Sequence, residues 1–347
     1  MADKQSILEA IKVVQDPELN KSLIDLGMIR DIFVEKGLVR LSLALTTSKC
    51  PKKEAIVAEI RQVLQNLPDV SKVEVKLTTL TKEELRKLFP EHPLVGLNRV
   101  RHVLAVASGK GGVGKTTAAV NVALGLAAKG NRVGLLDADV YGPSVPVMLG
   151  LNDSPDWENG MMIPVEKFGL RIMSLGMITD KGKPVVWRGP LVSKAIRQLL
   201  GQVLWGDLDY LVVDLPPGTG DPSITVAQAI PGATVLMVTT PQEVALADVR
   251  RSIDLFNKFN IGILGLLENM SYFFCGHSEK PIEIFGQGGG EKLSKEFGLP
   301  LLGKIPIDLE IGKGGDSGVP LMILAPDSET GRIFQNIAEK IMGVVRN

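Results

Sequence analysis

Gly109-Lys110-Gly111-Gly112-Val113-Gly114-Lys115-Thr116-Thr117 follows the pattern G-x-x-x-x-G-K-S/T. Glycines at this spacing let successive backbone N–H groups turn inward around phosphate oxygens. A short apolar strand, Val103–Ala107, runs into the loop, and a helix, Thr116–Lys129, leaves it and closes at Gly130. Strand, loop and helix in that order put the positive end of a helix dipole at the phosphates. Lys115 is expected on the β- and γ-phosphates, and the Thr116 hydroxyl on Mg²⁺. The stretch therefore predicts a nucleoside triphosphate site. Lys110, directly after the first glycine, suits a cation supplied in trans to neutralise charge on a transferring phosphate.

Downstream, apolar strands alternate with helical patterns: Arg132–Leu136, Arg171–Leu175, Leu211–Val213, Thr234–Val238, Ile261–Leu267 and Leu301–Ile305. Continuous apolar strands separated by helices predict an α/β fold, a mostly parallel sheet with helices on both faces, over residues 102–347. Ligands of such sheets sit at the carboxyl ends of the strands. Asp137 and Asp139 follow one strand, and Asp214 ends another. An acid at that position beside a phosphate loop is where Mg²⁺ is held, directly or through water.

Residues 1–80 predict a separate small α/β domain. It has helices over Lys4–Val14 and Lys52–Leu67, a hairpin of Ile29–Glu35 and Leu38–Leu45 about Lys36-Gly37, and a last strand over Lys72–Leu77. The charged stretch 81–101, with Pro90 and Pro93, is expected to be a linker. Lys+Arg and Asp+Glu both number 39, so the zero net charge argues against nucleic acid and anionic membrane as partners. The polar start MADKQSILEA is unlike a signal peptide, and two cysteines make no disulfide framework. The expectation is a cytoplasmic protein with reduced thiols.

Lys110-Gly111-Gly112-Val113-Gly114-Lys115-Thr116 is similar to the deviant Walker A motif of the superfamily containing MinD, ParA and the nitrogenase iron protein. Further motifs narrow the resemblance. They are Leu136-Asp137-Ala138-Asp139-Val140-Tyr141-Gly142-Pro143-Ser144-Val145-Pro146, Trp187-Arg188-Gly189-Pro190, Asp214-Leu215-Pro216-Pro217-Gly218-Thr219-Gly220-Asp221 and Glu268-Asn269-Met270-Ser271-Tyr272-Phe273. Together they resemble the Mrp (ApbC-type) iron–sulfur carrier ATPases from about residue 99 onward. Residues 1–80, with Asp16-Pro17-Glu18, Leu26-Gly27-Met28-Ile29 and Thr46-Thr47-Ser48-Lys49-Cys50-Pro51, resemble the small iron–sulfur-assembly domain often fused in front of them.

The resemblance implies ATP sandwiched in a homodimer, with Lys110 acting across the interface. It implies that Asp139 positions or activates the attacking water. It also implies that Asn269 contacts the adenine, helped by the loop Pro306-Ile307-Asp308. Apo iron–sulfur proteins and cluster-assembly factors become the expected partners, and a four-iron cluster the expected cargo.

The cysteines depart from that pattern. Members of the family carry Cys-x-x-Cys after the Glu-Asn-Met-Ser-Tyr-Phe element, whereas this chain has Cys275-Gly276-His277-Ser278. Two copies of Cys275 give two thiolates. His277 as a further ligand, a cluster with open coordination sites, and a Cys275 without cargo are the alternatives. Cys50, between a strand and a helix, is either a reactive thiol or a partly buried small residue. A carrier is thus set against a MinD/ParA-like partner-binding switch without a cluster, and against a weaker reading as an electron-donating reductase. Gly286–Gly290 is expected to be a flexible connector. Ile333, Ile337, Ile341 and Val344 mark a C-terminal helix that packs on the core.

Overall fold

The computed structural model describes residues 3–17, 21–46, 50, 52–88, 94–140, 142–178, 189–218, 220, 223, 230, 232–275 and 280–345. The chain divides into two units, Met1–Glu91 and His92–Asn347.

In the first unit, Asp3 caps helix α1 (Lys4–Ile11), accepting from the Ser6 amide at 2.8 Å. Strands β1 (Ile29–Glu35) and β2 (Leu38–Leu45) form the hairpin at the expected bounds. Its two turn residues, Lys36 and Gly37, both hold positive φ, 45° and 82°, as a tight hairpin turn requires. Helix α2 (Lys53–Gln65) returns the chain so that β3 (Lys72–Thr79) lies parallel to β2. Ile7 and Ile11 of α1 and Ile56, Ile60 and Leu64 of α2 bury against Val39, Leu41 and Leu43 of the sheet.

The stretch 81–101 is not all linker. Helix α3 (Lys82–Leu88) lies within it, and Val100 and Arg101 already belong to a strand. Thr81 and Glu84 start α3 with a capping box: the Glu84 carboxylate accepts the Thr81 amide at 2.8 Å, and the Thr81 hydroxyl oxygen accepts the Glu84 amide at 3.3 Å.

The second unit is built on an eight-stranded sheet. In chain order it contains β4 (Val100–Ser108), helix α4 (Lys115–Ala128), β5 (Val133–Asp137), β6 (Val165–Lys167), β7 (Leu170–Ser174), helix α5 (Gly189–Gly201) and β8 (Leu208–Asp214). There follow β9 (Thr234–Thr239), helix α6 (Glu243–Lys258), β10 (Gly262–Glu268), helix α7 (Gly289–Phe297), β11 (Leu301–Lys304), helix α8 (Leu309–Ser317) and helix α9 (Glu329–Val345). The spatial order is β6-β7-β5-β8-β4-β9-β10-β11, parallel throughout except for β6, which pairs antiparallel with β7 at one edge. All seven strands expected from the apolar runs form. The three-residue β6 was too short to show a periodicity.

Strand alternation splits the core in two. Val103, Ala105 and Ala107 of β4 join Leu211 and Val213 of β8 and Val235 and Met237 of β9 in one layer, covered by α5 and α6. Leu104 and Val106 join Val212, Leu236 and Val238 in the other, covered by α4 and α9. Helix α9 buries Phe334, Ile337 and Ile341, so it is a core helix as expected; Val344 stays exposed. No helix among the described residues is long and apolar enough to cross a membrane.

The glycines at 286–290 are not a flexible connector. Gly288 caps α7 at φ 73°, and Gly289 and Gly290 begin the helix. A Cβ on Gly289 would lie 2.7 Å from the Pro241 carbonyl oxygen, so the backbone packs here too closely for a side chain.

Candidate functional site

Strands β4, β5 and β8 end side by side, with Asp214 in register with Asp137 and with Val106. The phosphate loop leaves the end of β4. Its first glycine is fixed by packing: a Cβ on Gly109 would come within 2.4 Å of the Asp248 carbonyl carbon in α6. Gly109→Ala is therefore expected to push the loop off α6 and lower the melting temperature by about 5 °C. An unchanged melting curve would show that α6 yields freely. Gly112 and Gly114 hold φ of 80° and 81°, and α4 begins at Lys115 immediately afterwards.

The chemistry converges on Asp214, which is fully buried. Lys115 Nζ donates to its Oδ1 at 2.5 Å, and the Thr116 hydroxyl donates to its Oδ2 at 2.6 Å. Lys115 Nζ also lies 3.8 Å from Asp139 Oδ2. Burial raises the Asp214 carboxyl above its ordinary value, and the Lys115 charge pulls it back. Asp137 lies beneath. Its carboxylate accepts the Asp139 amide at 3.1 Å, the Val145 amide at 3.2 Å and the Ser174 hydroxyl at 3.0 Å. Both of its oxygens are thus spent on shaping the aspartate loop, and Asp139 is the aspartate that lines the cleft. Ser174 escaped the sequence reading, although β7 sets it in register with Asp137.

Burial, and next the neighbouring Asp214, push the Asp137 carboxyl up to about 7. A folded-state value above the unfolded one means that the folded chain holds a proton the unfolded chain releases. Stability attached to this group is complete below the unfolded value, near 4, and is lost as pH rises toward about 7. In that window the folding equilibrium constant is expected to fall up to about tenfold per pH unit. Melting of the nucleotide-free chain from pH 4.5 to 8 checks this, and Asp137→Asn should flatten the profile. Equal slopes in both proteins would assign the dependence elsewhere.

The cleft above these groups has a volume of about 240 Å³ and is bounded by Lys110, Gly111, Lys115, Thr116, Asp139 and Pro217 among others. That is smaller than the roughly 300–1,000 Å³ of pockets that enclose a whole small ligand, and it suits a phosphate chain. Lys110 is half-buried at its edge. The Ser108 hydroxyl donates to the Lys110 carbonyl at 2.9 Å, and the Lys110 ammonium makes no ion pair among the described residues.

Asn269 adjoins the loop itself: its Nδ2 donates to the Val113 carbonyl at 2.9 Å. Asp308 is held by two bonds of its own. One oxygen accepts the Glu310 amide at 2.9 Å as the cap of α8, and the other accepts the Thr330 hydroxyl at 2.6 Å. Pro306 is buried.

Beyond Asn269 the chain forms a hairpin. Phe273 and Ile282 exchange two backbone hydrogen bonds, of 2.9 and 2.8 Å, and half-buried Cys275 lies just past the first of them. Glu268, buried, accepts the Ser271 hydroxyl at 2.9 Å and the Gly290 amide at 2.5 Å, stapling the hairpin base to α7. Cys50 is 4% exposed within the core of the small unit. His277 and Ser278, Trp187 and Arg188, and Thr219 and Asp221 lie outside the described residues. Among the described residues no three His, Cys, Asp or Glu side chains cluster to hold a metal.

Two family models match this chain. Residues 99–342 match "NUBPL iron-transfer P-loop NTPase", and residues 4–77 match "Iron-sulfur cluster assembly protein". An "Iron-sulfur cluster carrier protein" of Synechocystis is 46% identical over 99% of this chain and 98% of its own length. The "Iron-sulfur protein required for NADH dehydrogenase, mitochondrial" of Arabidopsis thaliana is 48% identical over 71% of this chain and 79% of its own. Among solved structures, a nucleotide-binding protein from Archaeoglobus fulgidus in complex with ADP matches at TM-score 0.60 and 33% identity, covering 73% of this chain and 97% of that one. MinD of Pyrococcus furiosus shares the fold at TM-score 0.53 and 24% identity, over 70% of this chain and 99% of its own.

Proposed function

The chain belongs to the NUBPL iron-transfer P-loop NTPase family, and from that premise we propose that it is an ATP-hydrolysing carrier passing iron–sulfur clusters to apoproteins. One observation carries the reading: the stretch Asn269–Cys275 links a side chain bonded to the phosphate loop with a half-buried thiol.

The Lys115 ammonium is the charge that balances Asp214. A triphosphate in the loop offers it a stronger partner, while the loop amides and the start of α4 hold the remaining oxygens. Thr116 Oγ1 and Asp214 Oδ2, already in contact at 2.6 Å, are hard oxygen donors that fit Mg²⁺. Bound there, the ion would neutralise phosphate charge. Asp139 orients a water toward the terminal phosphate, a role its position on the cleft wall supports. Lys110 serves a second copy's phosphates in a homodimer, which accounts for an ammonium at the cleft edge with no described ion pair.

The cluster is cargo. A homodimer offers it two Cys275 thiolates, leaving irons open to an acceptor's ligands, and that suits transfer better than storage. A four-iron cluster, cluster-assembly factors as donors, and a reducing cytoplasm in which both cysteines stay thiols complete the reading. Anaerobic reconstitution with iron and sulfide tests it. The expected result is visible absorbance, iron and sulfide in proportion to protein, and transfer to an apoprotein. A colourless chain that still hydrolyses ATP is instead a partner-binding switch; the single described thiol at the hairpin favours that second reading.

A further inference from the structure

We infer that Asn269 positions the phosphate loop and couples its occupancy to the Cys275 hairpin, an inference that rests on the nucleotide-binding reading above. The group Asn269 bonds is the Val113 carbonyl, so the amide nitrogen must be the atom facing it. Among the described residues no peptide bond is cis. In a trans peptide the N–H points opposite to the C=O. The Gly114 N–H therefore points away from Asn269, and Gly114 lines the cleft. One side-chain amide thus sets the direction of a peptide whose other side is presented to phosphate. The approach is close enough to exclude any other residue: a Cβ on Gly114 would lie 2.1 Å from Asn269 Nδ2.

The other end of the link is equally constrained. The Asn269 amide donates to the Thr239 carbonyl at 2.8 Å, and the Ser271 amide to the Ile305 carbonyl at 3.0 Å. Between them Met270 is held at φ 55°, the left-handed region that residues other than glycine rarely occupy. Backbone strain persists only where its surroundings over-determine it, and here the flanking amides are tied to the last residue of β9 and to the residue just after β11. When phosphate draws on the Gly114 N–H, the Val113 carbonyl turns with it. The Asn269 bond then transmits that rotation to Met270, which has a less strained conformation to relax into, and so to the Cys275 hairpin. Coupling of this kind requires that nucleotide favour one of the two arrangements.

Two probes on the cluster-free full chain test this. Affinities for MgADP and for magnesium tripolyphosphate, which has no base, are measured in wild type, Asn269→Ala and Asn269→Asp. Maleimide labelling of Cys275, separated from Cys50 by peptide mapping, is measured with and without MgADP. Wild type is expected to show about a fivefold nucleotide-dependent change in labelling. Both variants should lose that change and bind both ligands about tenfold more weakly. Asn269→Asp preserves shape, so it answers if Asn269→Ala fails to fold. Variants weakened toward MgADP but not toward tripolyphosphate would make Asn269 a reader of the base and overturn the inference. So would a labelling ratio that survives in the variants or is absent in wild type. A wild type that binds neither ligand removes the nucleotide reading itself, a different result.

Discussion

Lys115→Ala is expected to abolish ATP hydrolysis and, separately, to destabilise the nucleotide-free chain. The rate should fall about a thousandfold, since the ammonium is the charge aimed at the transferring phosphate. The stability effect follows from burial. Lys115 is 6% exposed and Asp214 is fully buried, so removing the lysine leaves a carboxylate in the interior with the Thr116 hydroxyl and two further aspartates nearby. Breaking a buried pair from one side costs about 3–5 kcal/mol. Asp214 can escape part of that cost by taking up a proton, so the deficit should grow as pH rises. Combining Lys115→Met with Asp214→Asn removes both charges and should restore stability without restoring hydrolysis. Melting at pH 8 and phosphate release read the two effects apart. Equal melting of wild type and Lys115→Ala would show that the pair contributes nothing to the fold.

Cys275→Ala should lose the reconstituted iron and sulfide while keeping ATP hydrolysis. The thiol is half-buried on a hairpin whose closing bonds belong to Phe273 and Ile282, so its removal leaves the hairpin's frame in place. Cys50 provides the contrast. It packs among Val39, Leu41 and Ile56, and Cys50→Ala should cost about 1 kcal/mol of stability in the small unit with loading unchanged. Iron and sulfide analysis of the two variants, prepared together, decides the matter. Full loading of Cys275→Ala would remove that thiol from the carrier mechanism, and loss of loading in Cys50→Ala alone would move the cargo to the small unit.

The sheet was legible because its strands are buried on both faces. That burial writes them as unbroken apolar runs, and the acids that follow mark where the runs stop. The phosphate loop was legible for a related reason: backbone geometry demands glycine at Gly112 and Gly114, whatever else surrounds them. What stayed hidden depends on partners far along the chain. Asn269 reaches the Val113 carbonyl across 156 positions, and nothing local to either residue announces that bond. The resemblance directed Asn269 and Asp308 toward the base. In the structure, Asn269 bonds the Val113 carbonyl and Asp308 caps a helix. Helix α3 is a different case, since Thr81 and Glu84 stand at capping-box spacing, a local signal masked by the prolines that follow.

The packing of α9 on α4 bears on how the chain is made. Helix α4 is buried along most of its length, and Phe334, Ile337 and Ile341 supply part of its cover. About two hundred residues separate the two helices. A ribosome adding roughly 5–20 residues per second leaves that face of α4 open for tens of seconds. The helix that carries the phosphate loop is thus finished last, and until then its apolar side is a natural resting place for a chaperone.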